Sequence, residues 1–106
     1  MPLERLKSLL QLLEQEPTDP FIIYAIALEY QKFEPERAIH YYELLMNKHE
    51  NYLPTYYQAA TLYSELGENE KARSAYEKGI KIAASQQNMH TQLELQNAYH
   101  NHLLED

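Results

Sequence analysis

The sequence predicts an all-α protein, built of antiparallel helix-turn-helix repeats that form a short α-solenoid. Three observations predict it. First, a pattern of small and large residues occurs twice: Ile23-x2-Ile26-Ala27-x2-Tyr30 followed by Ala38-x3-Tyr42-x2-Leu45, then Tyr56-x2-Ala59-Ala60-x2-Tyr63 followed by Ala72-x3-Tyr76-x2-Gly79. Second, Ala38 to Ala72 and Tyr42 to Tyr76 are each 34 residues apart, and a fixed period of this size marks an array of repeated helical units. Third, the residues of each first half fall at i, i+3, i+4 and i+7, one face of an α-helix, while no alternating run bounded by turns suggests a strand. Along that face alanines admit a neighbouring helix and tyrosines fill the space beside them, the interlock that native packing density requires.

The elements follow in order. Leu3–Glu14 is a helix with Leu6, Leu9, Leu10, Leu12 and Leu13 on its inner side, an N-terminal cap within residues 1–18. Pro17-Thr18-Asp19-Pro20 breaks the chain. Pro20–Lys32 and Pro35–Lys48 form the first repeat, residues 20–52. Pro35 suits the first turn of its helix, where a missing N–H is harmless. His49-Glu50-Asn51-Tyr52-Leu53 connects to the second repeat, residues 53–86, with helices at Pro54–Leu66 and Asn69–Ala84. Gly67 in the intervening turn is a natural left-handed terminator. Gly79, inside the second of these helices, implies close contact with the final helix. That helix, Met89–Leu104 within residues 88–106, carries Met89, Leu93, Leu95, Ala98, Tyr99 and Leu103 on one side. Gln92, Glu94, Gln96 and Asn97 lie mostly on the other. A polar outer surface of this kind suits a C-terminal cap.

The doubled pattern resembles the tetratricopeptide repeat, whose 34-residue signature is W-x2-L-G-x2-Y, then A-x3-F, then P. Ile23 and Tyr56 stand at the Trp, Ile26 and Ala59 at the Leu, and Ala27 and Ala60 at the Gly. Tyr30 and Tyr63 match the Tyr, Ala38 and Ala72 the Ala, and Tyr42 and Tyr76 the aromatic. Glu50 and Ala84 replace the closing Pro, while Pro17 sits where a preceding repeat would end. The likeness covers residues 20 to 84 well and the flanks loosely. It implies a right-handed superhelix, a binding rather than catalytic role, and a concave groove lined by the first helix of each repeat.

Composition narrows the function further. The net charge of −7 opposes phosphate backbones, so nucleic acid is not an expected partner, and a basic or apolar protein segment is. The chain has no Cys, which excludes disulfides and thiolate metal sites and fits a cytoplasmic setting. No apolar stretch is long enough for a membrane span, and Met1-Pro2-Leu3-Glu4-Arg5 does not open a secretory signal. His40, His49, His90, His100 and His102 include no HExxH motif and no i, i+4 His pair, so no metal or cofactor is expected. Glu36 and His40, at i, i+4, read as a surface pair. Ser8, Ser64 and Ser74 lack a nucleophile-elbow context, and no phosphate-binding glycine loop exists. The protein is not expected to be an enzyme.

Ten tyrosines exceed what the repeat core uses. Tyr24 and Tyr57 are equivalent, one residue after the Trp-like position. By the resemblance they face the groove, together with Phe21, Leu28 and Gln31 in the first repeat and Pro54, Gln58, Thr61 and Ser64 in the second. Tyrosine gives large contact area for little entropy loss. The cationic clamp by which some tetratricopeptide domains hold a chaperone's C-terminal carboxylate has no counterpart, since those positions carry Tyr24, Leu28, Tyr57, Gln58 and Thr61. The expected function is a protein-binding adaptor; the alternative is a self-associating module, a homodimer included.

Overall fold

The computed structural model describes residues 2–105; Met1 and Asp106, the outermost residues of the two expected capping segments, lie outside the described residues. Among the described residues six helices follow one another: α1 (Pro2–Gln15), α2 (Pro20–Gln31), α3 (Pro35–Lys48), α4 (Pro54–Glu65), α5 (Asn69–Ser85) and α6 (Met89–Leu104). No strand occurs among the described residues. The all-α helical-repeat fold expected from the sequence is therefore the one observed. The helices group into two units, Met1–Tyr52 and Leu53–Asp106.

In the first unit α2 packs against α1 on one side and α3 on the other. This explains why α2 is apolar almost all round, with Ile22, Ile23, Ala25, Ile26, Ala27 and Tyr30 all buried. Its start is fixed locally: the Asp19 carboxylate accepts from the Phe21 N–H at 2.9 Å, and Pro20 takes the first turn. Ala38, Tyr42 and Leu45 of α3 are fully buried against it. Tyr42 keeps its hydroxyl satisfied by donating to Gln31 Oε1 at 2.6 Å. Burial, with a smaller contribution from Tyr24, pushes the Tyr42 phenol well above its ordinary value. The buried Glu29 carboxylate is held by Arg5 of α1 at 3.2 Å and Lys32 at 3.1 Å, so the charge taken from water is paired.

In the second unit α4 and α5 make the hairpin and α6 lies against α5. Tyr56, Ala59, Ala60, Tyr63, Ala72, Tyr76 and Gly79 are all buried, so the small-large code of the second repeat builds this core as it builds the first. Both helix ends carry the same terminator. After α4, Glu68 N–H donates to Tyr63 C=O at 2.8 Å and Gly67 N–H to Ser64 C=O at 3.1 Å, with Gly67 at φ 78°. After α5, Asn88 N–H donates to Ala83 C=O at 2.9 Å and Gln87 N–H to Ala84 C=O at 3.0 Å. Here Gln87 adopts φ 57° without being a glycine. These are Schellman closures, which satisfy the last carbonyls of each helix. Asn88 then caps α6, its side chain accepting from Thr91 N–H at 3.0 Å.

Two expectations need correction. Of the five leucines expected on the inner side of α1, Leu6 alone is buried; Leu9, Leu10 and Leu13 are half-buried and Leu12 faces solvent. In α6 the apolar residues do not share one side. Leu95 and His102 are buried and Ala98 and Tyr99 half-buried, whereas Met89, Leu93 and Leu103 are exposed. The helix packs through Leu95-x2-Ala98-Tyr99-x2-His102, at i, i+3, i+4, i+7, and its other hydrophobic residues point away from α5. The close approach expected at Gly79 is present: a Cβ built there would lie 2.6 Å from Tyr56 Cβ and 3.1 Å from Leu95 Cδ1.

Candidate partner-binding site

The two first helices of the repeats carry the expected contact residues, one set in each unit. On α2, Phe21 is exposed at the first turn, while Tyr24, Leu28 and Gln31 are half-buried. Tyr24 sets its ring edge-on to Tyr52 at 5.7 Å and tilts against Tyr42 at 6.3 Å. It thus braces the first unit while leaving part of its surface open. Gln31 is committed to the Tyr42 hydroxyl.

On α4, Tyr57, Gln58, Thr61 and Ser64 are all half-buried. Thr61 donates its hydroxyl back to the carbonyls of Tyr57 and Gln58, at 3.0 and 3.2 Å. Tyr57, Thr61 and Ser64 form one wall of a cleft of about 400 Å³ within the second unit. The opposite wall comes from α6, through Glu94, Asn97, Ala98, Asn101 and His102, and from Glu105 just after it, with Tyr76 and Glu65 completing the lining. Gln58 lies outside it.

The cleft is negative. Glu65, Glu94 and Glu105 line it, and no Lys or Arg stands among its described lining residues. The field is felt by Tyr76: burial first, then Tyr57, Glu105 and Glu65 hold its phenol protonated above the ordinary value. At the floor, His102 is 6% exposed. Its Nδ1 and Ser64 Oγ are hydrogen-bonded at 2.9 Å, the tautomer deciding which one donates, and its ring leans on Tyr76 at 5.8 Å. Tyr76 in turn stacks on Tyr99 at 5.4 Å, and Tyr99 donates to Glu77 at 2.8 Å. This chain of contacts fixes α6 against α4 and α5 and so sets the width of the cleft.

Sequence reasoning named the α4 wall but not the α6 wall. His102 read as one of several scattered histidines. The signal that reveals it is its place seven residues after Leu95 in the same i, i+3, i+4, i+7 spacing that governs the repeats. Among the described residues no group of three or more His, Asp or Glu could hold a metal, and no helix is long and apolar enough to cross a membrane.

A family model described as tetratricopeptide repeat matches residues 53–86. The solution structure of a tetratricopeptide repeat domain protein from Salinibacter ruber is 33% identical over 81% of this chain and 88% of that one, with a TM-score of 0.77. A crystal structure of a tetratricopeptide repeat domain protein from Salinibacter ruber is 31% identical over 83% of this chain and 99% of that one, with a TM-score of 0.78. This chain belongs to the tetratricopeptide repeat family. The crystal structure of MamA, 21% identical over 96% of this chain and 67% of that one, with a TM-score of 0.70, shares the fold. No curated protein matches the chain. Tetratricopeptide repeats generally mediate protein–protein interaction and are typically non-enzymatic scaffolds. The interlocked Ala and Tyr residues described above are this family's small-large code in its local form, with Ile23 and Tyr56 at the Trp position.

Proposed function

We propose that this tetratricopeptide repeat protein is a cytoplasmic adaptor that captures a segment of another protein rich in basic and apolar residues. The contact residues lie on the first helix of each repeat. In the second unit Tyr57, Thr61 and Ser64 face the carboxylates of Glu94 and Glu105 across the cleft; in the first, Phe21, Tyr24, Leu28 and Gln31 offer an apolar strip with one amide. The observation that carries this reading is the cleft itself: three carboxylates around two tyrosines, with no Lys or Arg among the described lining residues. A Lys or Arg side chain would restore charge balance there, and the rings would cover its methylenes. The surrounding acidic surface would speed encounter with a cationic partner more than it deepens affinity.

The test is a titration with synthetic peptides that combine Lys or Arg with Leu, set against acidic peptides of equal length. The basic set should bind, with affinity falling as salt rises. Truncating an anchoring ring at a hot spot costs about 2 kcal/mol, so Tyr57→Ala should weaken capture by at least about tenfold. Glu94→Lys should slow association while the far-ultraviolet circular dichroism stays helical. Equal binding of acidic and basic peptides, or a folded Tyr57→Ala variant with unchanged affinity, would refute the cleft as the site.

A further inference from the structure

We propose that α6 is also a dimerisation helix, through which two copies of this chain pair antiparallel along a stripe distinct from the cleft. The stripe is Met89, Leu93, Gln96, His100 and Leu103, with Leu104 at its margin. All six are exposed, and the apolar ones strongly so: Met89 68%, Leu93 52%, Leu103 51% and Leu104 71%. Their spacing of four, three, four, three is that of a coiled-coil seam. At about 100° per residue they occupy about 100° of helix surface. The cleft residues Glu94, Asn97, Asn101 and Glu105 lie to one side of it, and the packed residues Leu95, Ala98, Tyr99 and His102 to the other.

Charge identifies the occupant. The chain carries −7, so two copies repel wherever their acidic surfaces meet. Across Met89–Leu104 the only Asp, Glu, Lys or Arg is Glu94, which faces the cleft, so the stripe itself is uncharged, with Glu77 of α5, bonded to Tyr99, and Glu105 standing only at its edges. A basic partner finds no carboxylate on the stripe itself, and a second copy meets no like charge along it. The other outer surfaces do not offer this. α5 exposes Lys71, Arg73, Glu77, Lys78 and Lys81. The exposed Leu3 and Leu12 of α1 are nine residues apart and point to opposite sides of that helix.

The stripe is also complementary to itself. Run antiparallel about Gln96, it places Met89 against Leu103 and Leu104, Leu93 beside His100, and Gln96 against the Gln96 of the second copy, where two amides can exchange hydrogen bonds. Such an isologous contact closes at two copies. A helix of 16 residues is about 24 Å long. One seam of that length buries less than the roughly 1,600 Å² of a standard interface, so the dimer is reversible and concentration-dependent.

Sedimentation equilibrium over a wide concentration range tests it. The mass should climb from the 12.6 kDa of the monomer towards twice that value and stop there. Leu93→Lys should remain monomeric at concentrations where the natural chain is dimeric. His100→Leu should tighten the dimer at least about fivefold by completing the apolar seam. Gln96→Glu and Gln96→Lys should each weaken pairing alone, by setting like charges face to face, and recover it when mixed in equal amounts. All these positions are solvent-exposed, so the variants keep the fold, which circular dichroism confirms. A natural chain that stays monomeric throughout overturns the proposal. So does a Leu93→Lys variant that pairs as before, a Gln96 mixture without recovery, or assembly that grows past two copies.

Discussion

Gly79→Ala is the sharpest probe of the packing that holds the second unit together. By helix propensity alone the change should stabilise α5 by about 0.5–1 kcal/mol. Geometry opposes it. The new methyl would sit 2.6 Å from Tyr56 Cβ and 3.1 Å from both Tyr56 Cγ and Leu95 Cδ1. Leu95 Cδ1 is the end of a flexible side chain and can give way. Tyr56 Cβ cannot, because it is bonded directly to the backbone of α4, and Tyr56 is fully buried. The two helices must therefore separate, and overpacking of this kind costs about 1–3 kcal/mol. The clash outweighs the propensity gain, leaving a net loss centred near 1 kcal/mol and reaching about 2.5 kcal/mol. For a domain of this size that lowers the melting temperature by about 4–8 °C per kcal/mol. Thermal melts followed by far-ultraviolet circular dichroism read it directly, and Gly79→Leu should fare worse still. A Gly79→Ala variant that melts higher than the natural chain would refute the argument, since propensity would then have won and α4 and α5 would not be in hard contact at this point.

Two further outcomes follow from named backbone and side-chain features. Gln87 holds a left-handed conformation at φ 57° in the turn after α5, where a side chain costs about 1–2 kcal/mol; Gln87→Gly should raise stability by about 1 kcal/mol in urea titration, and a loss would mean that the Gln87 side chain is contributing more than its strain. Burial keeps the Tyr42 phenol neutral well above its ordinary value, so above about pH 10 the unfolded chain binds fewer protons than the folded one. Stability is then whole below that pH and drains as pH rises through the raised value, and Tyr42→Phe should show a shallower alkaline decline than the natural chain.

Most of the repeat core was legible because two independent constraints coincide there. The code positions from Ile23 to Gly79 obey the helical period and also recur between the repeats, 33 residues apart on the first helices and 34 on the second, and each of them proved buried. α1 and α6 obey only the first. In α1 a run of leucines leaves the inner face ambiguous, and Leu12 fell on the wrong side of the expectation. In α6 two apolar stripes share one helix, so hydrophobicity could not say which one packs. The outcome turns on a polar residue: His102 can be buried because Ser64 supplies a partner, and Leu95 fits beside the cleared space over Gly79. Both are tertiary facts, set by residues far away in the chain. The α6 wall of the cleft was unreadable for the same reason, since Glu94, Asn97 and Asn101 look like an ordinary solvated face until α6 is docked.

The placement of α6 therefore links everything proposed for the second unit. Its inner stripe seats on α5 over Gly79, its acidic face closes the cleft opposite Tyr57, and its outer stripe is the candidate seam for a second copy. The three faces are separated by helical geometry, so substitutions on them should be separable as well. Leu93→Lys removes pairing without touching the cleft, and Tyr57→Ala removes a cleft anchor without touching the seam. A shift of the helix axis is different, because one rigid rod carries both surfaces. The methyl of Gly79→Ala pushes on Tyr56 and Leu95 together, so it moves the cleft wall with the helix. The outer seam moves as a body and keeps its internal spacing. Peptide capture should then weaken in that variant while dimerisation persists. That pattern would not arise if the variant simply unfolded, since local melting of α6 would abolish both.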